Sequence, residues 1–234
     1  RATRSGSSCT SGPATSTVPP TGAARAMPAR APARSRAAIG WRRFSDARPN
    51  AAHQALVRLE AAGRLEGIVT QNVDRLHHDA GSRRVVELHG NLRSVSCLAC
   101  RIPYPRGEVQ ERLEALNPGW TDRVAALAPD GDADVEPDAL EAFRVPACEA
   151  CGGVLKPDVV FFGENVAKHV VEDAFALVGR AEVLLVVGSS LAVFSGFRFV
   201  RDAAARSIPI ALVNLGEARG QELAAIHVDA RAGQ

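Results

Sequence analysis

Val183-Leu184-Leu185-Val186-Val187 is an unbroken apolar run that passes directly into Gly188-Ser189-Ser190. A run without polar alternation suits a strand covered on both faces, as in a parallel sheet. Upstream of it, Val170, Val171, Ala174, Phe175, Leu177 and Val178 mark a helix. Downstream, a crossover from Leu191 through a helix near Phe199 leads to a strand over Ile208-Pro209-Ile210-Ala211-Leu212-Val213. Strands alternating with helices at this spacing predict right-handed βαβ units and a parallel sheet. Pro209 has no N–H to donate, which places it at the start of its strand.

Toward the N-terminus the same grammar continues. Gly67-Ile68-Val69-Thr70 reads as a short buried strand and Arg84-Val85-Val86-Glu87-Leu88 as another. Before them, Asn50 can cap a helix in which Ala52, Ala55, Leu56 and Leu59 recur on one face, and Gly63 ends it. Residues 1–39 are different: Ser, Thr, Pro, Gly, Ala and Arg dominate, and the first acidic residue is Asp46. That segment is expected to be disordered or aberrant. Its Arg-rich, acid-free composition is like that of a mitochondrial transit segment, although no amphipathic period accompanies it.

Composition bounds the function. With 46% hydrophobic and 23% charged residues the chain can build a core, which excludes a wholly disordered or fibrous protein. A formal net charge of +2 gives no electrostatic case for nucleic acid as a partner. No run of about 18 apolar residues exists, so no membrane span is predicted. A cytoplasmic location is expected, with the mitochondrial matrix as the alternative if the N-terminus is a transit segment.

The strongest chemical signal is Cys97, Cys100, Cys148 and Cys151, which form two Cys-x-x-Cys pairs. Each pair can supply two corners of a tetrahedron, so the four predict one structural Zn²⁺ with no position left for water or substrate. The alternative is four unrelated buried cysteines. The interval from Arg101 to Ala147, with Asp130, Asp132, Asp134, Glu136 and Asp138, reads as a solvated, mobile insertion. Three predicted strands end in small polar clusters: Thr70-Gln71-Asn72-Val73-Asp74, Gly188-Ser189-Ser190 and Asn214-Leu215-Gly216. Open parallel sheets bind ligands outside the carboxyl ends of their strands, although ordinary turns have the same composition. His89 follows a predicted strand and precedes Gly90 at that edge, with His77 and His78 nearby. Histidine is the side chain best suited to proton transfer near neutral pH.

Taken in order, Gln71-Asn72-Val73-Asp74, Glu87-Leu88-His89-Gly90 with its adjoining Cys-x-x-Cys, Lys156 to Glu164, Gly188-Ser189-Ser190-Leu191 and Asn214-Leu215-Gly216 resemble the sirtuins, NAD-dependent protein lysine deacylases. The long interval between the cysteine pairs, with Trp41-Arg42-Arg43-Phe44 and Pro49-Asn50, looks most like one class of them. That class contains the mitochondrial lipoamidase and ADP-ribosyltransferase sirtuin and its bacterial relatives. The resemblance implies an α/β chain with a Rossmann-like parallel sheet domain and a small zinc-binding module. The catalytic domain would span residues 40–234, its Rossmann part about 40–92 and 155–234 and its zinc module about 93–154.

The resemblance also implies roles. NAD and an acyl-lysine on a protein or peptide would meet in the cleft, and the acyl group would pass to ADP-ribose with release of nicotinamide. His89 becomes the general base, Asn72 and Asp74 hold the nicotinamide ribose and its pocket, and Gln71 and Val73 lie beside them. Gly188, Ser189 and Ser190 would contact ribose and phosphates; Asn214, Leu215 and Gly216 would surround the adenosine end, with Ala232 closing over adenine. Val159, Val160, Phe161, Phe162, Gly163 and Glu164 resemble the segment that adds a strand to the substrate peptide and lines the acyl-lysine tunnel. A monomer is expected.

One family feature has no counterpart. The opening strand with its Gly-Ala-Gly-x-Ser loop, which holds the NAD phosphates, is not found in residues 1–39, where Gly6-Ser7-Ser8 and Gly12 follow no apolar strand. A fragment or a frame error upstream of about Ile39 is expected. The alternatives to a deacylase are a catalytically impaired zinc-containing peptide-binding module and a protein ADP-ribosyltransferase.

Overall fold

The computed structural model describes residues 41, 44–119, 126–127, 133–134, 143–161 and 163–233. Helix α1 (Ala51–Ala61) begins where Asn50 accepts from the backbone N–H groups of Ala52 and His53. It ends as Gly63, in the left-handed region at φ 67°, donates to Glu60. The expected apolar face is not its core: Ala52, Ala55 and Leu56 are half-buried and Leu59 is exposed. The buried residue is His53, stacked 4.6 Å from His77 of the short α2 (Leu76–Ala80). One turn of α2 is too short to cover the whole face of α1.

Strands β1 (Ile68–Thr70) and β2 (Val85–Glu87) flank α2 and pair in parallel. After the antiparallel module described below, α4 (Lys168–Arg180) leads to β8 (Leu184–Val187), and α5 (Phe194–Ala205) leads to β9 (Ile210–Asn214). A 3-10 turn, Gln221–Leu223, precedes β10 (Ile226–Asp229), and β10, β9 and β8 form a parallel sheet in that order. Pro209 lies just before β9, where its carbonyl accepts from Leu184. Leu88, Val178, Phe197, Val200 and Leu212 build one core, with Val69 and Val86 packed against it, so both parallel sheets share that core.

The parallel strands lie in two sheets, β1–β2 and β10–β9–β8, because no described residue pairs with the remaining edges of β1 and β8. The expectation that β8 is covered on both faces fails among the described residues. Leu184 and Val186 pack on the core, while Leu185 is 41% exposed and Val183 more so. Leu185 lines up across the sheet with Ala211 and Ile226, a row that no described helix covers.

The antiparallel module has β3 (Gly90–Cys97) between β4 (Pro103–Pro105) and β7 (Leu155–Val159). Its helix α3 (Arg106–Leu116) places Val109 and Leu113, one turn apart, against Val95, Leu155, Phe143, Cys97 and Cys148. In the described part of the interval from Arg101 to Ala147, the expectation of a solvated insertion fails for Tyr104, Val109, Leu113 and Phe143, which pack into this core. Strands β5 (Ala126–Leu127) and β6 (Ala133–Asp134) pair with each other; Asp130, Asp132, Glu136 and Asp138 lie outside the described residues. So do residues 1–39 and Phe162. Among the described residues no helix is long and apolar enough to cross a membrane.

Candidate active site

The carboxyl ends of β1, β2 and β8 and the first turn of α5 converge. Leaving β1, Thr70 Oγ1 accepts from Asn72 N–H at 3.1 Å, and Asp74 Oδ1 accepts from Leu76 N–H at 2.9 Å, which starts α2. Asn72 is exposed; Val73 gives its carbonyl to Leu92. His89 stands between β2 and β3, where Gly90 has φ 73° and a Cβ would meet Asp158 O at 2.0 Å. Only glycine fits there. The approach lets Val160 N–H donate to His89 O at 2.9 Å, tying the end of β7 to the histidine.

The imidazole is held at both nitrogens. Nδ1 lies 3.1 Å from the carbonyl of Gln71 and Nε2 lies 2.8 Å from Ser195 Oγ. A carbonyl only accepts, so in the neutral ring Nδ1 carries the proton and the lone pair of Nε2 accepts from Ser195. Gln71 Nε2 donates to the same Ser195 Oγ at 3.2 Å, and Ser189 Oγ donates to Gln71 Oε1 at 3.4 Å. The Gln71 amide fills the space where a Cβ on Gly196 would lie, 2.5 Å from Oε1. Ser195 did not stand out in the sequence. Its only signal was a hydroxyl followed by glycine at the start of the crossover helix.

A second group forms at the other side of Ser189. Gly188 has φ 61°, and a Cβ there would come 3.1 Å from Ala232 Cβ, so the chain near its end does return to this loop. Ser190 O accepts from Arg219 N–H. Asn214 Nδ2 donates to the carbonyls of Leu215 and Gly216, while Gly216 N–H donates to Asp229 Oδ1 at 2.9 Å. Beyond β7, Val159 is buried, Val160 and Phe161 are half-buried, and Gly163 turns at φ 89°. Glu164 accepts from Lys156 Nζ at 2.9 Å and from Phe161 N–H at 3.1 Å. Burial alone would raise its pKa, but these bonds outweigh it and hold the carboxyl below its usual range. His77 and His78 face elsewhere: His77 stacks on His53, and His78 Nδ1 lies 3.4 Å from Glu87.

The cysteines meet at the end of β3. Cys97 and Cys151 sulfurs are 3.5 Å apart, Cys100 and Cys148 3.6 Å, and all four lie within 4.8 Å of one another. A tetrahedral Zn²⁺ with bonds of about 2.3 Å needs sulfurs about 3.8 Å apart, so the four thiols are placed to bind one zinc ion. Gly153 is needed beside them, because a Cβ would stand 2.8 Å from Cys97 Sγ. Tyr104 Oη lies 3.1 Å from Cys148 Sγ, and that hydrogen bond, against burial, pulls the thiol down to about 6. Cys100 accepts from the Ile102 backbone, yet burial and the neighbouring thiols push it up to about 12.

A parallel α/β core that carries a two-point-held histidine at its carboxyl edge, and sends out from the next strand a module of four thiols placed to bind zinc, defines an α/β protein of the Rossmann-like type. A model of the Sir2 family matches residues 27–195. NAD-dependent protein deacetylase 2 of Bradyrhizobium diazoefficiens is 56% identical over 197 residues, covering 84% of this chain and 72% of the relative. NAD-dependent protein deacetylase of Xanthomonas campestris is 57% identical over 195 residues, covering 83% and 67%. Among solved structures, Sir2 with a p53 peptide and NAD⁺ matches at TM-score 0.67 and 31% identity, covering 81% of this chain and 68% of that one. Sir2 with an inhibitor, 2'-O-acetyl-ADP-ribose and a deacetylated p53 peptide matches at 0.66 and 30%, covering 81% and 70%. The chain belongs to the Sir2 family, the sirtuins, and has their Rossmann-like α/β fold.

Proposed function

We propose that this chain is an NAD-dependent protein lysine deacylase that transfers the acyl group to ADP-ribose and releases nicotinamide. The observation that carries the reading is the His89 ring, whose Nδ1 is committed to Gln71 O and whose Nε2 lone pair faces the meeting point of Gln71, Ser189 and Ser195. That arrangement is a general base held in one tautomer. The names of the relatives support the same activity.

Bound NAD supplies the ADP-ribosyl group and nicotinamide as its leaving group. The residues present suit its ribose and adenosine parts: Gly188 and Gly216 turn in the left-handed region, Gly216 with open space above its Cα, beside the Ser189 and Ser190 hydroxyls. Gln71, Asn72, Val73 and Asp74 line the nicotinamide side, and Asn214, Leu215 and Ala232 the adenosine side. His89 would take up at Nε2 the proton that a ribose hydroxyl releases. The segment from Val159 to Glu164 seats the acyl-lysine peptide, and Val160 couples that seat to His89 through its backbone bond. Zinc, held by Cys97, Cys100, Cys148 and Cys151, supplies folding energy and takes part in no step. The chain would work as a monomer in the cytoplasm on acylated proteins, without nucleic acid.

The alternative is a peptide-binding module without a working NAD site. Incubation with NAD and an acetyl-lysine peptide separates the two. The deacylase reading expects one nicotinamide for each peptide deacetylated, with His89→Ala slowing both by about a hundredfold or more. Peptide binding without NAD binding or nicotinamide release would establish the second reading.

A further inference from the structure

We propose that Ser195 is a proton-relay residue, standing between the substrate hydroxyl and His89. The inference rests on the deacylase reading above and adds a residue to its proton path. Three observations carry it. The lone pair of His89 Nε2 is not open to the site but is taken by Ser195 Oγ at 2.8 Å. The direction of that hydroxyl is set, since Oγ accepts from Gln71 Nε2 at 3.2 Å and its own proton is left for His89. Finally, the hydroxyl is anchored from two sides. Ser195 opens a helix whose next residues, Gly196 and Phe197, are buried, and the Gln71 amide is wedged against Gly196 and held by Ser189.

A hydroxyl that gives its proton to His89 must therefore either break this chain of bonds or use it. Using it costs no rearrangement. The substrate O–H bond breaks as an O–H bond forms at Ser195 Oγ, and the former Ser195 O–H bond breaks as an N–H bond forms at His89 Nε2. Two protons move, no net atom is gained by Ser195, and the new imidazolium keeps its Nδ1–H on Gln71 O. The relay also gives Gln71 a dual task, orienting the serine with its side chain and the histidine with its backbone.

The test is Ser195→Ala and Ser195→Thr in the full chain loaded with zinc, assayed with NAD and an acetyl-lysine peptide. Ser195→Ala is expected to lower kcat on the order of a hundredfold with KM for NAD and peptide unchanged, and Ser195→Thr to recover most of the rate. In mixtures of light and heavy water the wild-type rate should fall along a curve, for two protons in flight, and that of Ser195→Ala along a line. Wild-type kcat in Ser195→Ala, or a linear response in the wild type, overturns the relay. A wild type that releases no nicotinamide defeats the deacylase reading instead. The nitrogen NMR shift of His89 Nε2 in the ligand-free chain then decides the pairing. It should move in Ser195→Ala and return in Ser195→Thr; an unmoved shift overturns the proposal.

Discussion

Among the described residues the cysteine module has a strand with partners on both edges, whereas the outer strands β1 and β8 of the parallel region have one partner each. Strand β3 has a partner on each edge, its Cys97 is fully buried, and helix α3 seals one side with Val109 and Leu113. Strands β1 and β8 each have a single partner, and the row Leu185, Ala211, Ile226 has no cover among the described residues. Antiparallel strands recruit neighbours through short turns, whereas parallel ones need crossovers and cover on both faces. The module gains β4 from nearby sequence and β7 from across the interval between its cysteine pairs. A parallel sheet depends on every strand of the set.

The largest effect is expected from Cys148→Ala, which removes one zinc ligand and the partner of Tyr104. Zinc per chain, by elemental analysis, should fall from one to near zero, and the module should lose its ordered signals while the shared core of the parallel sheets persists. A folded, zinc-free module would end the idea that metal closes it.

Gly90→Ala tests the joint between the two regions. The substitution adds a Cβ 2.0 Å from Asp158 O at a left-handed residue, so the β3–β7 contact must open. A loss of roughly 1–3 kcal/mol from the backbone conformation alone is expected in denaturant melts, with more from the clash. An unchanged midpoint would mean that the two regions are not joined there.

A smaller effect should come from acid. Burial, then the neighbouring His53, holds the His77 pKa below 6.5, with Asp74 opposing. The folded state therefore disfavours the protonated ring. Stability from this pair is fully present above 6.5 and is lost as pH falls from there through the folded-state value. Melting temperatures of wild type and His77→Gln across that window should converge at low pH; parallel curves would remove His77 as the cause. The smallest effect is expected from Ile226→Ser on the uncovered row, where 62% exposure predicts a change within about 0.5 kcal/mol. A large loss would show that something covers the face.

Much of this was legible beforehand, and particular residues say why. Asn50, Gly63 and Pro209 act through local backbone chemistry, so the boundaries they mark hold to within a residue or two. The paired cysteines needed only ligand spacing. The outward side of β8 was misread because an apolar run reports what a strand prefers, not what packs on it. Helix α3 was passed over because Val109 and Leu113 are two apolar residues in a polar stretch, and their value lies in meeting Phe143 and Cys148.

Periodicity, ligand spacing and motif order are written along the chain, so the α/β class, the four clustered cysteines and the polar strand ends could be read from it, and His89 could be singled out beside them. Tertiary structure alone decided that His89 meets Ser195, 106 residues away, that Gln71 holds both, and that Val160 ties the peptide segment to the histidine. Hydrogen bonds of that kind depend on distances of a few tenths of an ångström between separate elements, and no local pattern encodes them.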